Sequence, residues 1–435
     1  YLAAAARYES AQERAVEAIT SYAAAAPAVM ALADAVEQVR AANPSLVEFG
    51  GRPLLANLTS RITSDSAGIY LLPGAETHDG AAVILRSSEP PKHLPLPGFS
   101  RGAVGKKVVE LLGDTGCTRG VCEWLWDTVT EPLLKELSGT TDWVVVPTGH
   151  VGMLPLHAAG SHSPRIAGDS RTSRGWIDDH VTIHVVPSLL SLGNEIGAPP
   201  ASGTPLVAVS EATDLRFLDA DRAIATGLIP GARLLEGDIS PDTVLRALVD
   251  TPTAVLSGHA SHSLVEGGGL AFGQDLPETG GEPVSRWLTA EAIERLPLRD
   301  RNLIVLSSCS SAQIAIDLPD ESIGLPAAFL GAGFTSAIAT VWPVRDPVAF
   351  VTLARLLQQR AARPQQPPSE ALRQTRRWLR TATRDDLQIW LDALEFDVQL
   401  PAELVELLRR WWADCPDLHP LAYPRDWAAF SCTGL

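Results

Sequence analysis

Two stretches of this 435-residue sequence place residues capable of catalysis directly after apolar runs. Cys309 follows the run 303–306 in "LIVLSSCSSA", and His259 follows the run 254–256 in "AVLSGHASHS". A cysteine attacks as its thiolate, and a free thiol is only a few per cent ionised near pH 7, so it needs a base. A nearby histidine can take the proton. The two stretches therefore predict nucleophilic catalysis by a cysteine and a histidine.

The number of residues between His259 and Cys309 makes the predicted chemistry more specific. His259 precedes Cys309 by 309 − 259 = 50 residues, and in caspases the histidine lies about 50 residues before the nucleophile. Each residue could also have a purely structural role. Most unpaired cysteines are small buried hydrophobes, and many loop histidines only make hydrogen bonds. His262 is an alternative base, although the preceding strand would then have to continue through Gly258.

The elements around these residues predict a parallel sheet. Apolar strands alternate with helical patterns along the second half of the chain, and such strands are typical of a sheet covered by helices on both faces. The predicted strands are 144–146, 206–210, 254–260, 303–308 and 336–344. Because sites in such sheets form at the carboxyl ends of the strands, we expect His259 and Cys309 to meet there. The predicted fold class is α/β.

The sequence of the first half of the chain predicts different elements. Residues 1–66 are rich in Ala, Glu, Arg and Leu at helical spacing and predict N-terminal helices, either the end of a helical repeat array or a plain lead-in. The segment 68–87 predicts a β-hairpin around a Gly/Asp turn, and 121–137 predicts an amphipathic helix. The Pro/Gly-rich stretch 197–205 is the best candidate for a linker.

Composition excludes several classes of function. The net charge of −16 argues against nucleic acid as a ligand, and no apolar run reaches the roughly 18 residues of a membrane-spanning helix. Five sparse cysteines are typical of a reducing compartment, so we expect a cytoplasmic protein. Because the sequence begins with Tyr1 rather than methionine, we expect it to be a fragment.

Two further groups of residues raise the question of a metal. The pair Cys117 and Cys122 in "CTRGVC" has no second pair of ligands beside it, so we interpret both as buried thiols. His150 and His157 are separated by Pro155 and have no carboxylates nearby, so we expect them to pack within the first half. The sequence predicts neither a metal nor a cofactor.

The order of the sequence blocks resembles the CHAT domain family, caspase-like peptidases that are often found behind tetratricopeptide repeats. The resemblance covers about residues 67–435 and rests on seven stretches taken together. They are "WLWDTVTEPLL", "VVVPTGHVGMLPLHAAG", "AVLSGHA", "LIVLSSCSSA", "GLPAAFLGAGFTSAIATVWPVRD", "ALRQTRRWLR" and "HPLAYPRDWAAFSCTGL". It implies a degenerate, pseudo-caspase half at 67–200 and a catalytic half at 201–435, behind the helical segment 1–66.

The resemblance also implies roles for individual residues. Cys309 corresponds to the nucleophile and His259 to the base, and the backbone N–H groups of Cys309 and Ala260 correspond to the oxyanion donors. The segment after the nucleophile lies beside the bound peptide in caspase-like enzymes, which makes Trp342, Arg345 and Asp346 the candidates for substrate binding. The acidic loop 317–322 is a further candidate for attracting a basic substrate residue.

Two departures from the family's usual residues concern the loops of this site. Ala260 stands where the family usually has glycine, so the N–H is kept while conformational freedom is lost. Residues 310–312 read Ser-Ser-Ala where the family usually has x-Thr-Gly, so we expect a loop of different shape.

The resemblance implies a cysteine endopeptidase that cleaves a protein or peptide substrate, with a regulatory partner acting through an N-terminal region and a role in bacterial signalling or antiviral defence. The alternative is an inactive caspase-like scaffold that binds proteins. An amidotransferase or α/β-hydrolase is disfavoured, because its nucleophile elbow requires glycines where this sequence has Ser307 and Ser311.

Overall fold

A computed structural model of the chain describes the segments that build the sheet and its covering helices. The described residues are 58–59, 62–76, 78–87, 89–113, 116–160, 175–189, 203–210, 216–235, 239–261, 269–272, 286–296, 298, 301–308, 311–312 and 324–435. The chain divides into two compact units, Tyr1–Ser60 and Arg61–Leu435, and the fold below is that of the second. The predicted N-terminal helices and most of the predicted linker lie outside the described residues.

Fourteen strands are found in the described part of the chain. They are β1 (Ser66–Leu72), β2 (Gly80–Leu85), β3 (Lys92–Leu96), β4 (Asp142–Pro147), β5 (Thr182–Val185), β6 (Leu206–Val209), β7 (Arg233–Leu235), β8 (Thr253–Ser257), β9 (Ala260–Ser261), β10 (Gly269–Ala271), β11 (Trp287–Thr289), β12 (Arg301–Ser307), β13 (Phe334–Thr340) and β14 (Phe430–Gly434).

Twelve α-helices accompany these strands in the same described segments. They are α1 (Arg101–Leu112), α2 (Arg119–Leu125), α3 (Glu131–Glu136), α4 (Leu218–Leu228), α5 (Pro241–Leu248), α6 (Ala290–Glu294), α7 (Leu325–Ala332), α8 (Asp346–Ala362), α9 (Pro368–Thr381), α10 (Arg384–Asp397), α11 (Ala402–Asp414) and α12 (Pro424–Trp427). A π-helical turn, Trp126–Thr130, joins α2 to α3, so the helix predicted over 121–137 is continuous but not regular. No helix among the described residues has the length and apolar character needed to cross a membrane.

Eleven of the described strands form one sheet, in the order β3-β2-β1-β4-β5-β14-β13-β12-β8-β6-β7. Most neighbours are parallel, and the antiparallel pairs are β1–β2, β2–β3 and β13–β14. The predicted α/β class with a mostly parallel sheet is confirmed, as is the hairpin at 68–87. The strands that precede residue 200 lie on one side of the sheet, and the chain's last strand, β14, joins them to the others through the pair Thr433–Val185.

The antiparallel β13–β14 pair reverses the direction of the sheet between its two sides. Because β5 runs parallel to β14 while β12 runs parallel to β13, the carboxyl ends of β4 and β5 lie opposite those of β6, β8 and β12. The strand leading to His150 therefore ends away from the strand leading to His259.

The strands of the second half are buried on both faces, which explains their continuous apolar sequences. In β6, Val207 and Val209 point into one core with helices α4 and α8, while Leu206 and Ala208 point into another with α5, α6 and α7. This alternation is the period of two expected for a strand. The two cores hold the strand ends in place for the site described next.

Candidate functional site

Two neighbouring parallel strands lead to the predicted catalytic residues. In the β8–β12 pair, Ser257 lies opposite Ser307, and the N–H of Gly258 donates to the carbonyl of Ser307 at 3.3 Å. In the sequence, His259 follows Ser257 by two residues, and Cys309 follows Ser307 by two residues. The strands are therefore neighbours as expected, while Cys309 and the alternative base His262 lie outside the described residues.

The half-buried His259 lines a cleft at these strand ends. The free volume of the cleft is about 400 Å³, including its open mouth. Its walls come from the start of α4, the ends of β8 and β12, and the segment that begins α8. They consist of Phe217, Leu218, Asp221, Gly258, His259, Ser307, Ser308, Val344, Asp346 and Ala349.

Asp221 is the residue of this cleft that sequence reasoning missed. It lies in α4, its side chain is buried, and its Oδ2 accepts a hydrogen bond from the Ser307 hydroxyl at 3.2 Å. Burial raises the pKa of Asp221 to about 7, because a charged carboxylate loses its hydration there. The nearby hydroxyls of Ser257 and Ser307 oppose this rise in pKa, and the negative charge of Asp346 adds to it.

The polar surroundings of Asp221 are incompletely bonded within the protein. Within the described residues, its Oδ1 and the hydroxyls of Ser257 and Ser308 are buried and have no hydrogen-bond partner of normal geometry, although Ser257 lies close enough to lower the pKa of Asp221. Buried polar atoms are nearly always bonded in folded proteins. The base of the cleft therefore has polar atoms available to a ligand.

Gly258 is required by the close packing at the end of β8. A Cβ atom added there would lie 2.8 Å from the hydroxyl oxygen of Ser210, which follows β6. The Ser210 N–H donates to the carbonyl of Ser257 at 2.9 Å, so the two strand ends are tied together beside the cleft.

Ala260 begins a small second sheet, which has the order β11-β10-β9. The predicted strand 254–260 is therefore two strands, interrupted at Gly258 and His259. Ala260 pairs with Leu270, but the ladder hydrogen bond joins the N–H of Ala271 to the carbonyl of His259 at 2.9 Å. In this pattern the N–H of Ala260 points away from β10, so the ladder does not use the predicted oxyanion donor.

The three predicted substrate-binding residues occupy different environments. Asp346 lines the cleft at the start of α8, and its Oδ2 accepts a hydrogen bond from the Arg216 N–H at 3.3 Å. Arg345 instead pairs with Asp426 at 2.7 Å, and its guanidinium lies 4.8 Å from the ring centre of Trp411. Only Asp346 of the three contributes to the wall beside His259.

Trp342 is part of the core rather than an apolar wall open to substrate. Its side chain is 1% exposed, and its indole N–H donates to the carbonyl of Arg425 at 2.9 Å. The preceding strand, β13, is also not at an edge, because β12 and β14 pair with its two sides. A peptide therefore cannot pair with β13 itself, and the segment beyond Thr340 is the part left for such contact.

His157, Cys117 and Cys122, which were considered as metal ligands, are buried and make contacts within the protein. The imidazole of His157 is buried, donates to the carbonyl of Ala428 at 2.9 Å, and has a pKa held well below its usual value by burial. Cys117 and Cys122 are both buried, with their sulfur atoms 3.5 Å apart. Within the described segments, no cluster of three or more His, Cys, Asp or Glu side chains is arranged to hold a metal ion.

The sequence does contain a pattern by which the buried position of Asp221 could have been recognised. Leu218, Asp221 and Ala225 follow one another at helical spacing on the buried face of α4. An aspartate on the apolar face of an amphipathic helix is unusual, because burying a carboxylate is costly. Such a position indicates a polar neighbour that only the fold can identify.

Comparison with known proteins agrees with this architecture. The model of the CHAT domain matches residues 119–435. A search of curated protein sequences finds no match. Among solved structures, separase from Saccharomyces cerevisiae, in its complex with securin, matches with a TM-score of 0.51 and 12% sequence identity. That match covers 88% of this chain and 31% of the separase chain, so this chain spans about a third of that protein's length.

A second structure of the same complex gives a TM-score of 0.52 at 11% identity, over 88% of this chain and 30% of that chain. Gingipain R, an Arg-specific cysteine proteinase, matches with a TM-score of 0.35 and 10% identity, over 60% of this chain and 63% of that chain. At these identities the separase match shows a shared fold. Since the CHAT model extends over most of the chain and the sheet has the corresponding architecture, the protein belongs to the CHAT domain family and has a caspase-like peptidase fold.

Proposed function

We propose that this protein is a cysteine endopeptidase in which Cys309 is the nucleophile and His259 is the base. The observation that carries the proposal is the pairing of β8 with β12, with Ser257 opposite Ser307. This register puts the ends of both strands at one end of the sheet, beside a cleft that His259 lines, and Cys309 follows Ser307 by two residues in the sequence. Membership of the CHAT family supports the same chemistry.

The proposed reaction proceeds in two stages. His259 takes the thiol proton of Cys309, and the thiolate sulfur attacks the carbonyl carbon of the peptide bond. The tetrahedral intermediate collapses as the C–N bond breaks and the imidazolium protonates the leaving amine, which leaves an acyl-thioester. Water then attacks the thioester with His259 as base, releasing the new carboxyl group and restoring the thiol.

The oxyanion of each tetrahedral intermediate would be bound by the backbone N–H groups of Ala260 and Cys309. Support for Ala260 comes from its ladder position, since its N–H points away from β10. Removing one oxyanion donor in other enzymes costs about 2.7–4 kcal/mol of transition-state stabilisation.

The charge of the cleft favours a basic residue before the cleaved bond. Asp346 and Asp221 both line the cleft, and one oxygen of Asp221 is buried without a protein partner. A lysine or arginine side chain entering the cleft would stabilise the ionised form of Asp221 and offset the cost of its burial. We therefore propose lysine or arginine at the residue whose carbonyl is attacked.

A peptidyl acyloxymethyl ketone with lysine at that residue tests the catalytic assignment. Intact-protein mass should increase by one adduct in the wild type and in His262→Ala, and labelling should vanish in Cys309→Ala. In His259→Ala, peptide cleavage should fall on the order of a hundredfold or more, as expected for loss of a general base. Adduct formation that persists in Cys309→Ala, or a loss confined to His262→Ala, contradicts the assignment.

A peptide-library cleavage profile tests the preferred residue. Asp346→Asn should reduce the ratio of kcat/KM for lysine over leucine substrates, whereas the exposed Asp219→Asn on the same side of the fold should leave it unchanged. Cleavage after apolar residues only would refute the proposed basic preference. Absence of both cleavage and labelling under every activating condition would support the alternative, a caspase-like scaffold that binds proteins.

The biological setting belongs to the same proposal. The substrate is a protein, and the region N-terminal to the CHAT domain regulates cleavage through a partner in bacterial signalling or defence. The resemblance to the CHAT family supports this setting, and cleavage assays with and without the N-terminal unit Tyr1–Ser60 measure the regulation.

A further inference from the structure

Helix α10 has apolar side chains on two opposite faces. One face packs into the core through Leu387, Trp390, Leu391 and Leu394. On the other face Ile389 is 68% exposed and Phe396 is 92% exposed, with the exposed Ala393 between them. An amphipathic surface helix normally has one apolar face and a polar face towards solvent, so the second face of α10 needs a separate explanation.

The spacing of these exposed residues makes a continuous stripe. Consecutive residues of an α-helix are rotated by about 100°, so positions 389, 393 and 396 fall within a sector of about 60°. The same rotation places the centre of this sector about 140° from the centre of the buried face. Along the axis, the seven steps from Ile389 to Phe396 span roughly 10 Å, about two helical turns.

Leu418, which lies at the amino end of α10, is a further exposed hydrophobic residue. Its side chain is 58% exposed, and its carbonyl accepts a hydrogen bond from the N–H of Arg384 at 3.1 Å. Single exposed hydrophobic residues are common on protein surfaces, whereas clusters rimmed by polar groups mark interaction sites. Among the described residues, Phe396 is the most exposed large hydrophobic side chain, and Ile389 lies on the same face of α10.

Carboxylates border the stripe on both sides. By the helical rotation, Asp385 and Asp392 lie along one border, and Asp386 and Asp397 lie along the other. Hydrogen bonds from Thr383 hold the pKa of Asp386 below its usual value, and the Arg409 guanidinium does the same for Asp392. These two groups therefore stay ionised at neutral pH. Arg409, which contacts Asp392 at 2.8 Å, offsets charge on one border only.

We propose that this acidic apolar stripe, formed by Ile389, Ala393 and Phe396 with its bordering aspartates, docks a basic amphipathic helix of a protein partner. A helix fits because the stripe is narrow, straight and two turns long, which suits apolar anchors repeated every three to four residues. Lysine or arginine beside those anchors would meet the aspartates, and such complementarity selects the partner.

The charge of the stripe disfavours two other occupants. A second copy of the chain would place Asp386 and Asp397 against identical carboxylates, and like charges across an interface are unfavourable. Anionic lipid headgroups attract basic rather than acidic surfaces. The proposed partner is independent of the peptidase proposal, because the stripe shares no residue with the cleft around His259.

A synthetic, fluorescein-labelled 18-residue helix with leucine anchors and flanking lysines tests the proposal against the full chain. Fluorescence anisotropy should show saturable binding that weakens with added salt. The double variant Ile389→Ser/Phe396→Ser should bind at least tenfold more weakly, a change of about 1.4 kcal/mol. Asp386→Asn/Asp397→Asn should also weaken binding and reduce its dependence on salt.

Matched controls separate docking from misfolding and from general stickiness. Val109→Ser removes a 73% exposed side chain from α1, away from the stripe, and should leave the affinity unchanged. Ile389→Ser/Phe396→Ser should keep the wild-type circular dichroism and thermal midpoint, since both altered side chains are exposed. Asp386→Asn/Asp397→Asn should keep the circular dichroism, and a lower midpoint of this variant reflects the capping hydrogen bonds from Thr383 to Asp386. A control peptide in which glutamate replaces lysine should not bind.

Three results would overturn the proposal. The first is equal affinity of the wild type and Ile389→Ser/Phe396→Ser for the basic peptide. The second is sedimentation of the wild type as a dimer that the same variant converts to a monomer, which would assign the stripe to a second copy. The third is stripe-dependent co-sedimentation with phosphatidylserine vesicles, which would assign it to a membrane.

Discussion

Replacing Asp221 by asparagine should change how the stability of this protein depends on pH. The folded chain holds the carboxyl of Asp221 at a pKa of about 7, against an ordinary value of 3.8, because burial disfavours the charged form. Asparagine keeps an oxygen that can accept the hydrogen bond of the Ser307 hydroxyl. It removes the ionisation, so the titration of one buried group is tested alone.

The sign and size of the effect follow from proton linkage. Below pH 3.8 both the folded and the unfolded chain carry the proton, so the carboxyl does not affect stability. Between pH 3.8 and about 7 the unfolded chain releases the proton while the folded chain retains it. The free energy of unfolding therefore falls with rising pH. A difference of about three in pKa corresponds to about 4 kcal/mol, fully developed above pH 7.

Guanidinium unfolding at pH 5, 6, 7 and 8 measures this dependence. All eleven tryptophans lie after residue 120, so their fluorescence reports the unit Arg61–Leu435. The advantage of Asp221→Asn over the wild type should increase from pH 5 to pH 7 and then level off. Asp219→Asn on the same helix, whose partner Arg222 is at the surface, should show no such trend. A difference that is constant with pH, or that shrinks as pH rises, would refute the assigned burial and pKa.

Two further substitutions test the packing that holds the sheet together. Asp178 and Arg376 form a buried ion pair with contacts of 2.6 and 2.9 Å, and Arg376→Met leaves the aspartate buried without its partner. Unfolding by denaturant should show a loss of about 3–5 kcal/mol, and adding Asp178→Asn should recover part of it; an additive further loss would contradict this account. Gly434 has a φ of 101°, and a Cβ there would lie 2.0 Å from the carbonyl oxygen of Thr335. Gly434→Ala should therefore cost at least about 1–3 kcal/mol from backbone strain alone, measured as a lower thermal midpoint, and an unchanged midpoint would exclude the tight β13–β14 contact.

Local features of the sequence predicted most of the elements. The Ser-Pro start of the stretch 240–250 predicts a capped helix, and the Ser240 hydroxyl does accept a hydrogen bond from the Thr243 N–H at 3.2 Å. Strands β6, β8 and β12 were predicted from continuous apolar runs, because strands buried on both faces have no polar side. Such signals depend on residues that are close in sequence, so they can be recognised without the fold.

Predictions that depended on neighbouring strands were less complete. The segment after the nucleophile was expected beside a bound peptide, yet β13 is enclosed by β12 and β14. Strand β14 comes from the end of the chain, and no local pattern specifies that it inserts between the two halves. The burial of Trp342, a candidate for substrate binding, has the same origin, since its hydrogen-bond partner Arg425 belongs to the segment leading into that strand.

The sequence by itself determined the class of the fold, the order of its elements, and the positions of His259 and Cys309 at the ends of apolar strands. These features follow from periodicity and from the residue types that strand ends carry. Only the tertiary structure decided the order of strands in the sheet, the acidic side of the cleft and the burial of Asp221. The physical reason is that a carboxyl group acquires its pKa from burial and from neighbours such as Ser307, which is 86 residues away in sequence.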